Sequence, residues 1–463
     1  MNYKCLILML FVLFLSMSMI SANELGDNIT SVNDGSPMEL VDTIDCVDED
    51  NLDDSDVLQV SSREVIKSNE DDVIVVNNWE ELQYYCGQTD KDYTLKLKEN
   101  TNFYPTDCKD SNYQIKIKNN VKVIGGIGSY VGDNSSNPSQ IKYTAIIVPD
   151  NERASIYFEN ITFKWINTLH QPNGLFIQMG GKNNNVLKNC IFTEIYAQYG
   201  HSCIVYLKKG TATLDNCSFI DCRSYYGVVS IYDPYSVKTT SMVVKDCYFE
   251  NNYGEVEPGC INNCGKLTVY NTTFFKNRSF WWAGAIHTHS GGNTTIYDSN
   301  FTDNVAGWNG GALYTYAYLQ IYNTIFSGNN CTTNNGGGAI GACAYQTNPH
   351  IYIEGCLFEN NANNCWALDE LSTTGTGRGG AISIMDEGSI EVRDTTFVAN
   401  AASIGAAICA WAMEGYGSPS IIISNNSFIN HTREGDTLNV RYTGIPAVVE
   451  IIILKVIQLY FLI

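Results

Sequence analysis

His287 and His289 stand two residues apart, directly after the run Gly284-Ala285-Ile286, so on a β-strand their imidazoles share one face. Imidazole is the side chain best suited to moving a proton or ligating a transition metal near neutral pH. Neither task is completed by the neighbouring sequence, because no carboxylate stands at a fixed spacing beside the pair; no metal site is predicted there. If Ile286 faces inward, both histidines face outward. Counting from the same glycine corner in later segments puts Tyr314 and Tyr316, and further on Trp411, in equivalent places. His287, His289, Tyr314, Tyr316 and Trp411 are therefore predicted to form an outward patch that binds a ligand by stacking on sugar rings or on a partner's side chains. Trp281, Trp282 and Trp308 fall in the bend before the glycine corner, where they cover a loop or face outward.

Other reactive groups give no convergent site. A hydrolase needs paired carboxylates, and a lyase needs an acidic cation-holding face with a nearby Arg or Lys. Asp246, Asp298 and Asp394 occupy a corner place that Asn fills elsewhere, which a structural role explains, and Arg153, Arg223, Arg278, Arg378 and Arg393 fall at unrelated places in the repeat. No catalytic residue and no cofactor is predicted. The sixteen cysteines include no Cys-x-x-Cys pair, which argues against structural zinc. Cys190, Cys217, Cys247 and Cys356 share one inward place as small buried side chains, while Cys86 and Cys108 are the expected disulfide. Asn-x-Ser/Thr acceptor sites are frequent; Asn134, Asn277, Asn293 and Asn330 are expected to carry glycan if the chain is exported.

The elements that must position these residues are legible from a repeat. Phe163, Phe192, Phe219, Phe249, Phe274, Phe301, Phe326, Phe358, Phe397 and Phe428 recur every 25 to 39 residues, a solenoid period. Three residues before each stands Asn or Asp, with Gly355 the exception; these tolerate the left-handed backbone of a sharp corner. Apolar pairs such as Leu267 and Val269, or Ile390 and Val392, precede the corner at a spacing of two and so share a strand face. An Asn often follows the Phe at the third place, then a glycine corner leads into small and apolar residues, as in Gly310-Gly311-Ala312-Leu313. The units are too short for helical crossovers. They predict an all-β chain, a single-stranded parallel β-helix of about ten rungs in which like residues stack in files, with right-handed winding as the default for parallel connections.

Both ends differ from the repeat. Residues 1–22 read as a signal peptide, with Lys4, an apolar run from Leu6 to Ile20, and small Ser21 and Ala22. Residues 23–72 carry sixteen Asp or Glu against Arg63 and Lys67 alone, a large share of the formal net charge of −21; such a leader cannot bury enough surface to fold by itself. Residues 73–150 are assigned to an N-terminal cap with the opening coils, Trp79-Glu80-Glu81-Leu82 forming a short helix, because the open strand edges of a solenoid require covering. Residues 151–430 hold the rungs. Residues 431–463 form a degenerate or truncated tail whose apolar stretch Val448 to Ile463 is interrupted by Glu450, Lys455 and Gln458, a poor membrane span. An acidic chain with no basic patch argues against nucleic acid as a partner.

The glycine-Ala-Ile corner joined to an Asn-x-x-Phe strand resembles the β-helix repeat of the polymorphic outer-membrane-protein type. Together with the signal peptide, the acidic leader and a pectate-lyase-like opening coil at Val121-Lys122-Val123-Ile124-Gly125-Gly126, it resembles the adhesin-like surface proteins of gut methanogenic archaea, over about residues 73 to 430. That resemblance implies an extracellular or cell-surface protein engaged in attachment to glycans or proteins of other cells, often longer than this chain and ending in a further domain or anchor. The alternative it leaves open is a pectate-lyase-like enzyme acting on polysaccharide.

Overall fold

The computed structural model describes residues 73–105, 108, 111–133, 139–150, 153–168, 176–181, 183–197, 202–231, 240–333, 336–344, 347–363, 377–412, 416–431, 438–442, 451–453 and 456–457. The predicted signal peptide, the acidic leader and Asn134 lie outside the described residues.

One rung shows how the sequence builds the coil. Lys266–Tyr270 is a strand with Leu267 and Val269 buried; Asn271, at φ 41°, turns the chain; Thr273–Phe275 follows with Phe274 buried. Lys276, at φ 55°, makes a second corner before the two-residue strand Arg278–Ser279, and a bend then leads to the strand Ile286–Thr288. Each strand pairs in parallel with its counterpart one rung on: Leu267 with Thr294, Phe274 with Phe301, Arg278 with Val305, Ile286 with Leu313. Repetition gives three long parallel sheets around one interior: the first holds Lys266–Tyr270 and its equivalents, the second Thr273–Phe275 with Arg278–Ser279, and the third Ile286–Thr288, which follows the glycine-bearing third corner.

The files have separate physical causes. Ten phenylalanine rings from Phe163 to Phe428 stack with centroids 4.6 to 5.1 Å apart and planes within 9° of parallel. That is the rung spacing of paired strands, so the backbone ladder and the ring stack reinforce each other. All ten residues three places before a Phe are left-handed, including Gly355 at φ 65°, where an added Cβ would also meet Asn323 Oδ1 at 2.7 Å. Outside this corner the side chains run as a ladder, Asn216 Nδ2 donating to Asn189 Oδ1 at 2.9 Å and Asn189 Nδ2 to Asn160 Oδ1 at 3.0 Å. A buried ladder runs inside the second corner: Asn252, Asn277, Asn304, Asn329, Asn361 and Asn400 each lie at most 1% exposed, and each amide but the last donates to the Oδ1 of the next. The glycines of the third corner reflect close backbone approach, since a Cβ on Gly311 would sit 2.0 Å from the Gly338 carbonyl oxygen.

Helix α1 (Trp79–Cys86) forms where the sequence places it. Asn78 caps it by accepting from the Glu81 N–H at 2.8 Å, while Glu81 Oε2 accepts from the Asn77 N–H at 2.8 Å. Trp79, Leu82 and Cys86 enter the main core, and Lys118 N–H donates to the Cys86 carbonyl, so the helix stands beside the first strands of the solenoid. The expected Cys86–Cys108 disulfide is not formed. Cys86 is a free thiol turned into the interior on the buried face of α1, its pKa pushed up to about 12 by burial. In the C-terminal region three strands continue the coil: Leu438–Tyr442 pairs with Ile408–Ala412, Ile451–Ile453 with Ser420–Ser424, and Val456–Ile457 with Asn426–Ile429.

Candidate functional site

The second corner file carries no single residue type. Glu194, Asp221, Asn251 and Lys276 are all left-handed here, and the residue two places beyond each projects from the outer face of the same sheet. In register these outer residues are Tyr196, Arg223, Tyr253 and Arg278. Arg223 and Arg278, expected at unrelated places, therefore occupy one file in alternation with tyrosine. Each stands four residues after the phenylalanine of its rung, Phe192, Phe219, Phe249 and Phe274, so counting forward from that file was the signal that places them together.

These side chains line an open cleft of about 480 Å³ together with Glu194 and Asp221. The Arg223 guanidinium lies over the Tyr253 ring at 5.0 Å and its Nε donates to Glu255 at 2.9 Å. Arg278 has no ion-pair partner among the described residues and is exposed. The two cations stand two rungs apart, about 10 Å, with an aromatic ring between them. The carboxylates are engaged in their own corner file: Asp221 accepts from Asn251 Nδ2 at 2.5 Å and Glu194 from Trp165 Nε1 at 3.1 Å. Beyond Arg278 the chain presents Phe280, 59% exposed, and Trp281 stacked on Trp308 at 4.8 Å.

The residues expected to form an outward aromatic patch do lie in register on the outer face of the third sheet, His287 beside Tyr314 and Met385 beside Trp411. They are not an exposed surface. His287 is fully buried, Tyr314 is 3% and Trp411 9% exposed, and Tyr314 and Trp411 belong to a second small core with Ala283, Cys343, Met385 and Cys409, flanked by Trp282, Tyr316 and Ile404. Residues of the bends fold over the sheet and seal its outer face, so the expected stacking platform is corrected to a packed layer; only His289 and Tyr316 keep partial exposure. Asn277 is likewise corrected as a glycan acceptor, being buried in the asparagine ladder, whereas Asn293 and Asn330 are half-buried in strands.

The reading that no carboxylate accompanies the histidines is also overturned. Glu257, from the bend before Pro258-Gly259, places Oε2 2.5 Å from His287 Nδ1 and 3.4 Å from His289 Nε2. Burial, then His289, holds the His287 imidazole down at about 4 despite the opposing pull of Glu257, so it is neutral at pH 7 and donates from Nδ1. Burial acts against ionisation of Glu257, but the two histidines outweigh it and hold its carboxyl below the usual range. Both shifts have one consequence for stability. Between pH 6.5 and 4 the unfolded chain binds a proton at His287 that the folded chain refuses, so stability falls as pH falls across that window. Urea unfolding in the presence of a chelator is expected to lose about 3 kcal/mol from this group between pH 7 and 4, and His287→Gln to flatten that dependence.

The family model for a right-handed β-helix region matches residues 108–301. The fold is a right-handed parallel β-helix. The match covers the coils that hold Tyr196, Arg223, Tyr253, Arg278, Glu257 and both histidines. No match is found among curated proteins. Among solved structures the chain is similar to a mannuronic acid-specific polysaccharide family 6 lyase from human gut microbiota, at 10% identity, with 80% of this chain and 82% of that one covered and a TM-score of 0.37. A likeness of that size carries nothing about activity.

Proposed function

We propose that this β-helix is a non-enzymatic attachment protein of a cell exterior that holds acidic glycan along its side. The observation that carries the reading is the outer file Tyr196, Arg223, Tyr253, Arg278. Guanidinium groups recognise carboxylates through paired N–H donors, and tyrosine rings offer apolar faces and hydroxyls to sugars, so the alternation suits a chain of uronate-type rings laid across the rungs. An open cleft fits an extended polymer better than a small molecule, and the rigid ladder beneath it keeps the side chains pre-organised. The carboxylates beside it are tied to Asn251 and Trp165, which suits a corner role better than a positioned acid and base.

Co-sedimentation or calorimetry of the full chain with acidic and neutral glycans tests the proposal. Acidic glycans are expected to bind preferentially and to weaken with added salt. Arg278→Ala, which removes a cation that has no ion pair among the described residues, is expected to lower affinity roughly tenfold. Arg223→Ala is expected to cost less, because its guanidinium already serves Glu255. Equal binding of neutral glycans, or no effect of Arg278→Ala, would count against the proposal.

A further inference from the structure

The cluster at Glu257 stands apart from the attachment surface and is built from two successive coils. The bend before one third-sheet strand supplies Glu257, and the next strand of that sheet, Ile286–Thr288, together with the residue after it, supplies His287 and His289. One ligand atom from each of the three lies within 4.8 Å of the other two. The imidazole rings are 4.0 Å apart, and Trp282, Tyr314 and Tyr316 enclose His287 with ring centroids at 5.7, 5.3 and 5.4 Å.

Hydrogen bonding within the cluster is incomplete. His287 is fully buried and Glu257 4% exposed, yet Nε2 of His287 is inaccessible and lacks a hydrogen-bond partner, and the inaccessible Nε2 of His289 has only the Glu257 carboxylate beside it, 3.4 Å away and outside hydrogen-bonding geometry. Buried polar atoms without a partner are uncommon and call for an explanation. Two imidazole nitrogens and a carboxylate oxygen, converging in a pocket walled by aromatic rings, are the donors a transition metal takes; calcium and magnesium want an all-oxygen shell.

We propose that Glu257, His287 and His289 bind one divalent transition-metal ion of the zinc class. Three protein ligands leave a tetrahedral ion one further position. The ion would link two consecutive coils, since its ligands come from both, and would neutralise the buried Glu257 charge. Without a metal role, the same three residues are a hydrogen-bonded Glu–His pair with a neighbouring imidazole, and the two readings differ in what added zinc does.

The test is calorimetric titration of Zn²⁺ into chelator-treated full-length protein, with Co²⁺ absorption as a ligand probe and thermal unfolding in parallel. The expected result is one ion per chain, a Co²⁺ spectrum of nitrogen and oxygen ligands, and a rise in unfolding temperature on adding Zn²⁺. His289→Ala is the informative variant because His289 is the least buried of the three, so the fold is retained. It is expected to weaken Zn²⁺ at least tenfold and to abolish the thermal shift, and Glu257→Gln to weaken it as well. Absence of saturable binding in the parent protein would overturn the proposal, as would an affinity unchanged by His289→Ala.

Discussion

Phe274→Ala is expected to lower the unfolding free energy by about 4 kcal/mol. Its ring is fully buried between Phe249 and Phe301, with centroids at 4.8 and 4.6 Å and planes 9° and 5° from parallel. Truncation removes contact area on both faces, and the surroundings cannot collapse into the hole, because the neighbouring rings are held at strand spacing by the parallel ladder. The outer tyrosine stack provides the contrast. Tyr297 sits between Tyr270 and Tyr322 at 5.0 Å on each side, but on the half-exposed face of the first sheet. Tyr297→Ala is expected to cost about 1 kcal/mol or less. Urea midpoints of the two variants measure the difference; equal shifts would mean that the phenylalanine file is not the principal packing element.

Asn304→Asp is expected to be comparably severe, by about 4 kcal/mol at neutral pH, and through a different mechanism. Asn304 Nδ2 donates to the Phe274 carbonyl at 2.9 Å and to Asn329 Oδ1 at 3.0 Å, while its Oδ1 accepts from both the N–H and Nδ2 of Asn277 at 3.1 Å. Replacing the amide by a carboxylate turns a donor towards two acceptors into a buried anion facing them. A proton on that carboxylate would restore one donor, so its pKa in the folded chain is expected to rise. Since the folded state then binds the proton more tightly than the unfolded one, the deficit relative to the parent should shrink as pH falls from 7 to 5. A deficit that is small, or independent of pH, would show that the buried ladder tolerates charge.

These two files were unequally legible. The phenylalanines can be found by spacing alone because one large residue type fills every rung, and the Asn or Asp three places earlier marks its corner because few side chains accept a left-handed backbone. The second corner is equally left-handed, yet Glu194, Asp221, Asn251, Lys276, Asp303 and Ala399 share no chemistry, so residue type does not announce it and only the constant place two residues after the phenylalanine marks it. Arg223 and Arg278 nonetheless share a place that the phenylalanine file defines, four residues after Phe219 and Phe274. The strand alternation that put His287 and Tyr314 on the outer face was correct. It could not show that bend residues such as Trp282, Ala283 and Ile404 close over them, nor that Glu257 reaches His287 from the previous coil, because bends vary in length and carry no period. Solenoid strands are readable because each residue has an equivalent one rung away, whereas bends have none.

The central functional claim is that acidic glycan is retained on the Tyr196–Arg278 file without being cut. Incubating the protein with uronate-rich polysaccharides, with and without calcium, while following polymer length and the appearance of unsaturated or reducing ends, tests it most directly. The expected result is saturable binding with chain length unchanged over many protein equivalents of substrate. Progressive shortening of the polymer, with new ends formed in proportion to protein concentration, would contradict the claim and make this β-helix an enzyme.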